Sequence, residues 1–216
     1  MTQPYLRRGF LVAGPLLALL TLWWTDPTPR ILSHYVTSLQ QRSSSQIHNI
    51  RQAAQALDGV YIQPEATFSF NRVVGPRRLE RGYLPAPVFM VAETVDSLGG
   101  GICQVSSSLY NAALLAGLEV VERHPHYTAV ESVPAGLDAT VWYGLADLRL
   151  RNPFPWPVRL RVNIRGQNLV VTVRGRGSHP VPPLYVQHHW LDDQHLQVSV
   201  YRGNERLSQD RYVMPR

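Results

Sequence analysis

The stretch Gly99-Gly100-Gly101-Ile102-Cys103-Gln104-Val105-Ser106-Ser107-Ser108 interrupts a run of short extended segments and opens the strongest helical pattern in the chain. Val105, Leu109, Ala112, Ala113 and Ala116 recur at helical spacing until Gly117, so the pattern predicts a helix whose first turn carries Cys103. Unpaired backbone N–H groups and the helix dipole at that position stabilise a thiolate. Three residues without side chains just before it permit positive φ and let another backbone come close to the sulfur.

Upstream of the glycines, the spacing of Ile31, Leu32, Tyr35, Val36 and Leu39 predicts one helix. Ser43-Ser44-Ser45 supplies caps for a second, with Ile47, Ile50, Ala53, Ala54 and Leu57 on one face and a stop at Gly59. Val60 to Ile62, Thr67 to Phe70 and Pro87 to Val91 read as strands, with a turn at Gly75-Pro76. Downstream, strands are predicted over 118–121, 140–150 and 158–164. Gly166-Gln167-Asn168 turns the chain into 169–173, and further strands follow over 184–190, 196–201 and 211–213.

Helices early and antiparallel strands late give an α+β domain, with helices packed on a mainly antiparallel sheet and the central helix starting at the glycine and cysteine motif. The globular domain is expected over 30–216, with its motif core at 49–152 and a β-rich part at 153–216.

Residues 1–29 read differently. Arg7 and Arg8 precede an uncharged apolar run from Gly9 to Trp24, and Thr25-Asp26-Pro27-Thr28-Pro29 then breaks it. This is the pattern of an export signal retained as a membrane anchor and linker, with Trp23 and Trp24 suited to the interface. The Arg7-Arg8 pair also fits a twin-arginine signal. The expectation is a membrane-anchored protein with its globular domain outside the cytoplasm.

The 216 residues carry a net charge of +6 with no lysine, which excludes an amine nucleophile or Schiff base. Arginine-rich surfaces suit anionic polymers, although a base composition favouring arginine codons explains the same count. The pairs Arg149 and Arg151, Arg159 and Arg161, and Arg174 and Arg176 each fall on one side of a predicted strand, as a basic face or as the wet side of a sheet. An exported domain argues against nucleic acid as partner. Cys103 is the only cysteine, so no intramolecular disulfide is available, and the thiol is either an inert core residue or a reactive one.

A reactive reading needs a base. His126 is preferred, with His124 as its competitor, and Asp138 or Asp147 would orient the ring. The order Cys, His, Asp is similar to the transglutaminase and papain-like arrangement, in which a thiol attacks a carbonyl or amide. Gly99, Gly100 and Gly101 would let substrate approach, Gln104 and Asn111 would hold an oxyanion or a substrate amide, and Ser106 to Ser108 would bond carbonyls within the helix. Cys103, His124 and His126 make a poor metal site with no fourth ligand, so no metal or cofactor is expected.

The chain also resembles the VanW family, named for a gene of vancomycin-resistance clusters. The resemblance rests on Phe68-Ser69-Phe70-Asn71, Gly75, Gly82-Tyr83, the whole of Gly99 to Asn111, Glu122-Arg123-His124 with His126, Asp138 to Val141, and Asp147 with Arg151-Asn152. Ser108 stands where that family usually shows Thr, and Tyr127 where Ser is common. The resemblance implies a cell-envelope protein associated with glycopeptide resistance. Two functions stay open: a cysteine-dependent amidase, peptidase or transpeptidase acting on peptidoglycan, or a non-catalytic module binding a wall polymer or an envelope partner.

Overall fold

The computed structural model describes residues 30–90, 93–176 and 180–214. They form an α+β structure whose paired strands are all antiparallel. The expected anchor over 1–29 lies outside the described residues, and among those described no helix is long and apolar enough to cross a membrane.

The main sheet has the order β1, β9, β8, β2, formed by β1 (Arg30–Ser38), β9 (Asn168–Gly175), β8 (Val158–Arg165) and β2 (Tyr61–Ile62). Its inner face is apolar through alternation: Val158, Leu160 and Val162 on β8, and Leu169, Val171 and Val173 on β9, are all buried. Gly166, at φ 57°, makes the turn between them. Two long helices cover this face. They are α1 (Ser44–Leu57) and α3 (Ile102–Ala116), with the short α2 (Phe70–Val74) between them in sequence.

α1 starts where the serine run predicts. The Ser43 side chain accepts from the Gln46 N–H, and the Gln46 side chain returns to the Ser43 N–H, a reciprocal cap worth about 1 kcal/mol. α3 ends at Gly117, whose left-handed φ of 84° closes the last turn.

The helix expected over Ile31 to Leu39 is strand β1 instead. Its inward side is polar: Ser33 and Thr37 are buried, while Ile31 and Val36 are exposed. Ser33 Oγ donates to the Ala112 carbonyl at 2.6 Å, and Thr37 Oγ1 lies 2.9 Å from Ser108 Oγ, so hydroxyls rather than methyl groups join this strand to α3. The apolar spacing that imitated a helix includes outward residues and straddles a register shift between Ile31 and Ser33.

The remaining strands build smaller sheets around this core. β3 (Thr67–Ser69), β7 (Arg149–Arg151) and β6 (Glu119–Glu122) form one, with β7 central. β4 (Pro85–Met90) and β5 (Glu93–Leu98) form a ribbon leading into the glycine run. β10 (Leu184–Trp190), β11 (His195–Arg202) and β12 (Glu205–Val213) form a C-terminal meander.

The strand expected over Thr140 to Leu150 is reduced to a bridge at Thr140 and to β7. Trp142 and Ala146 pair across a tight turn, and Gly144 there takes a φ of 84°.

Candidate active site

Three elements meet at Cys103: the start of α3, the segment 124–126 after β6, and the segment 137–143. The motif residues of α3 bring them together. Ser106 Oγ donates to the Ala139 carbonyl at 2.6 Å, the Ala139 N–H donates to Ser107 Oγ at 2.9 Å, and Asn111 Nδ2 donates to the Leu137 carbonyl at 2.6 Å. One face of the helix therefore clamps the backbone on both sides of Asp138. Its opposite flank holds β1 through Gln104, whose Nε2 donates to Thr37 Oγ1 and the Ser38 carbonyl and whose Oε1 accepts from Arg42.

The glycines set the height of the helix start. Gly101 caps α3 at φ 97° with no side-chain cap. A Cβ on Gly100 would lie 2.4 Å from the Ala86 carbonyl oxygen, so only glycine fits between the helix start and β4. Asn49 locks this junction, donating to the Leu84 and Gly100 carbonyls and accepting from the Leu84 N–H.

Asp138 is fully buried. Its Oδ2 accepts from the His126 ring Nδ1 and from the His126 backbone N–H, both at 2.6 Å. Its Oδ1 accepts from Tyr212 Oη at 2.6 Å and from Arg123 at 2.9 Å. Arg123 also pairs with Asp210 and stacks over Tyr110 at 5.4 Å. Burial alone would raise the Asp138 pKa, but His126, Arg123 and Tyr212 hold it below the usual carboxylate range.

An aspartate bound to Nδ1 directs Nε2 outward; His126 and Cys103 line the same cleft, where the Cys103 thiol donates to the Val141 carbonyl at 3.7 Å. Burial opposes the imidazolium, yet Asp138 and the Cys103 sulfur raise the His126 pKa to about 9. Burial likewise opposes the thiolate. Hydrogen bonding and charge from His126, the Val141 backbone and the Arg77 charge nonetheless bring the Cys103 pKa below the ordinary thiol value. The two directions agree: each group favours the charged form of the other. Cys103 is half-buried and lines a cleft of about 660 Å³ together with His126, Val141, Trp142, Gly99 and Gly101.

The other expected site residues sit elsewhere or are occupied. His124 lies in contact with Glu122 at 3.0 Å on an open edge, away from the cleft lining. Asp147 accepts from Ser69 Oγ and from the Asn71 and Leu148 N–H groups, tying α2 to β7. Asn111 and Gln104 spend their amides on the internal bonds above. Gly100 is buried under β4.

The arginine pairs do not form one basic face. Arg149 pairs with Glu122, Arg151 with Glu65 and Glu119, and Arg161 with Asp58, while Arg159 stacks on Tyr61. No cluster of three or more His, Cys, Asp or Glu forms a metal site among the described residues. Arg77, Arg123 and Tyr212 were not legible as site residues. Tyr212 arrives from the last strand with no local motif to mark it, although Arg123 sits next to the two histidines.

A family model described as VanW like protein matches residues 45–174. The chain belongs to the VanW family. Its VanW region spans α1 through β9 and so contains Cys103, His126 and Asp138. The chain is 42% identical over 142 residues to the uncharacterized protein YoaR of Bacillus subtilis, covering 66% of this chain and 47% of that protein. It is 28% identical over 131 residues to the vancomycin B-type resistance protein VanW of Enterococcus faecalis, covering 58% of this chain and 48% of that protein. The chain thus spans about half the length of the curated relatives it matches. No solved structure matches it.

Proposed function

We propose that this VanW-family chain is a cysteine-dependent acyl-transfer enzyme of the cell envelope, cleaving or exchanging amide bonds in peptidoglycan stem peptides. The observation that carries the reading is a histidine held by a buried, fully bonded aspartate and lining the same open cleft as a half-buried cysteine at a helix start.

The Cys103 thiolate attacks the amide carbonyl, forming the C–S bond. As the tetrahedral intermediate collapses and the C–N bond breaks, the His126 imidazolium gives its proton to the departing amine, leaving a thioester. Neutral His126 then takes a proton from water or from an acceptor amine, which attacks the thioester and releases the thiol. Water gives hydrolysis and an amine gives transpeptidation. Asp138 holds the ring in the tautomer that presents Nε2 and stabilises its charged form. The oxyanion would form beside the first turn of α3. There the Ile102 and Gln104 N–H groups are taken by the Gly99 and Gly101 carbonyls, and the Cys103 N–H has no backbone partner among the described residues.

The peptidoglycan assignment draws on the relative named as a vancomycin resistance protein. Placement outside the cytoplasm on a membrane anchor draws on the apolar run from Gly9 to Trp24 behind Arg7 and Arg8.

Purified protein incubated with isolated peptidoglycan should change the muropeptide profile. Cys103→Ala and His126→Ala should each abolish the change in protein that still folds, as shown by a cooperative melting transition. An unchanged product pattern in a folded Cys103→Ala protein refutes the enzymatic reading. Retained wall binding in that variant, with no reaction by the parent, favours a non-catalytic binding module instead.

A further inference from the structure

The cleft contains a cation whose only part in the acyl-transfer scheme is its distant charge on the sulfur. Arg77 Nη1 donates to Asn71 Oδ1 at 2.7 Å and to the Gly75 carbonyl at 3.1 Å, and its guanidinium carbon lies 5.7 Å from the centre of the Phe70 ring. All three partners are neutral. Arg77 forms no ion pair among the described residues, and its Nη2 is shielded from water without a hydrogen-bond acceptor. Arg123 and Arg151, by contrast, meet carboxylates: Arg123 those of Asp138 and Asp210, and Arg151 those of Glu65 and Glu119.

A desolvated guanidinium with no carboxylate in contact is costly unless something else supplies the anion, and Asp147 acts on Arg77 only through space. Burial accordingly pulls the Arg77 pKa down. The side chain is also fitted into place: a Cβ on Gly99 would lie 2.6 Å from Arg77 Cγ, so the first glycine of the motif leaves room for the arginine stem. Arg77 and Cys103 line the same cleft. A second guanidinium, Arg42, lines this cleft and spends its Nε on another neutral acceptor, Gln104 Oε1.

We propose that Arg77 is the anion-recognition residue of this cleft, and that the acyl compound attacked by Cys103 carries a carboxylate next to the scissile carbonyl. A carboxylate in the cleft supplies the charge that Arg77 lacks, and a small turn of the guanidinium about its stem brings the covered Nη2 to it while Asn71 and Gly75 hold the other nitrogen. The substrate class rests on the acyl-transfer reading, whereas recognition of an anion beside the sulfur does not.

Alkylation tests this directly, because the chain has a single cysteine. Iodoacetate and iodoacetamide share a leaving group and both react with the thiolate, but only one carries a carboxylate. The ratio of their rates therefore cancels any change in the thiol's pKa. At low ionic strength the ratio should fall about tenfold in Arg77→Gln, and it should stay at the parent value in Arg165→Gln, on the exposed β8–β9 turn. N-acetylalanine should protect Cys103 of the parent from iodoacetamide better than its carboxamide does, and Arg77→Gln should erase that difference.

Where Arg77→Gln does not fold, Arg77→Lys serves: the point charge keeps the iodoacetate preference, and loss of the fork weakens protection by N-acetylalanine severalfold. An unchanged rate ratio in folded Arg77→Gln overturns anion recognition. Equal protection by acid and carboxamide in the parent overturns the carboxylate requirement. Neither readout needs turnover, so failure of the peptidoglycan assay leaves both interpretable.

Discussion

Replacing Asp138 by Asn keeps the shape of the side chain and removes one acceptor oxygen. Each carboxylate oxygen now serves two donors: Oδ2 the His126 ring and backbone N–H, Oδ1 the Tyr212 hydroxyl and Arg123. An Asn amide satisfies one pair and turns its own NH2 toward the other. At roughly 1–3 kcal/mol for each buried donor left unsatisfied, the loss reaches about 3 kcal/mol, and Asp210 keeps Arg123 from being stranded outright. For a domain of this size that lowers the melting temperature by roughly 6–12 °C.

The substitution also changes how stability depends on pH. His126 titrates near 9 in the folded protein, against about 6.5 in an unfolded chain. Its contribution is therefore fully present below about pH 6.5 and is lost as the pH rises through about 9. Asp138→Asn removes the carboxylate's share of that shift, on the order of 1–2 kcal/mol, and leaves the share that comes from the sulfur. Thermal melts of both proteins from pH 6 to 10 (roughly the span set by those two values) should show a large gap at the acid end that narrows toward the alkaline end. A melting temperature within about 2 °C of the parent, with parallel pH curves, would refute the view that Asp138 is the electrostatic anchor of the site.

Gly100→Ala places a methyl group 2.4 Å from the Ala86 carbonyl oxygen, which should cost about 1–3 kcal/mol and loosen the β4–β5 ribbon, read by thermal unfolding and hydrogen exchange. Thr37→Val removes the buried hydroxyl that joins β1 to Ser108 and Gln104. A loss of about 1–2 kcal/mol in denaturant unfolding is expected. His124→Ala should leave the alkylation rate of Cys103 within about twofold of the parent, since a solvent-exposed ring outside the cleft contributes little to the field at the sulfur.

The two covering helices were readable because each shows an apolar stripe with a clear start and stop, the serine cap of α1 and the flanking glycines of α3. β8 and β9 were readable from strict alternation around Gly166. β1 was not, since its buried side uses Ser33 and Thr37, and hydrophobic periodicity cannot report a face that packs through hydroxyls. The ribbon strand Glu93–Leu98 escaped notice because its sequence, Glu93-Thr94-Val95-Asp96-Ser97-Leu98, offers no apolar alternation.

The site was legible in part. Cys103, His126 and Asp138 emerge from residue type and predicted local structure. The choice of His126 over His124, and of Asp138 over Asp147, depends on which backbone segments α3 clamps, and that depends on Ser106, Ser107 and Asn111 reaching residues 26 to 33 positions away. Ser106 to Ser108 were expected to bond within the helix. Ser108 does so, Ser106 bonds both the Cys103 carbonyl within the helix and the Ala139 carbonyl outside it, and Ser107 fastens the helix to the Asp138 segment.

The pH dependence of Cys103 alkylation by iodoacetamide, compared between the parent protein and His126→Gln, tests the paired thiolate and imidazolium most directly. The parent should react at a rate that levels off below the ordinary thiol range of about 8.5, and the variant should react slowly until alkaline pH. A parent whose rate rises only in alkaline solution, along the same curve as the variant, would contradict an activated sulfur at this site.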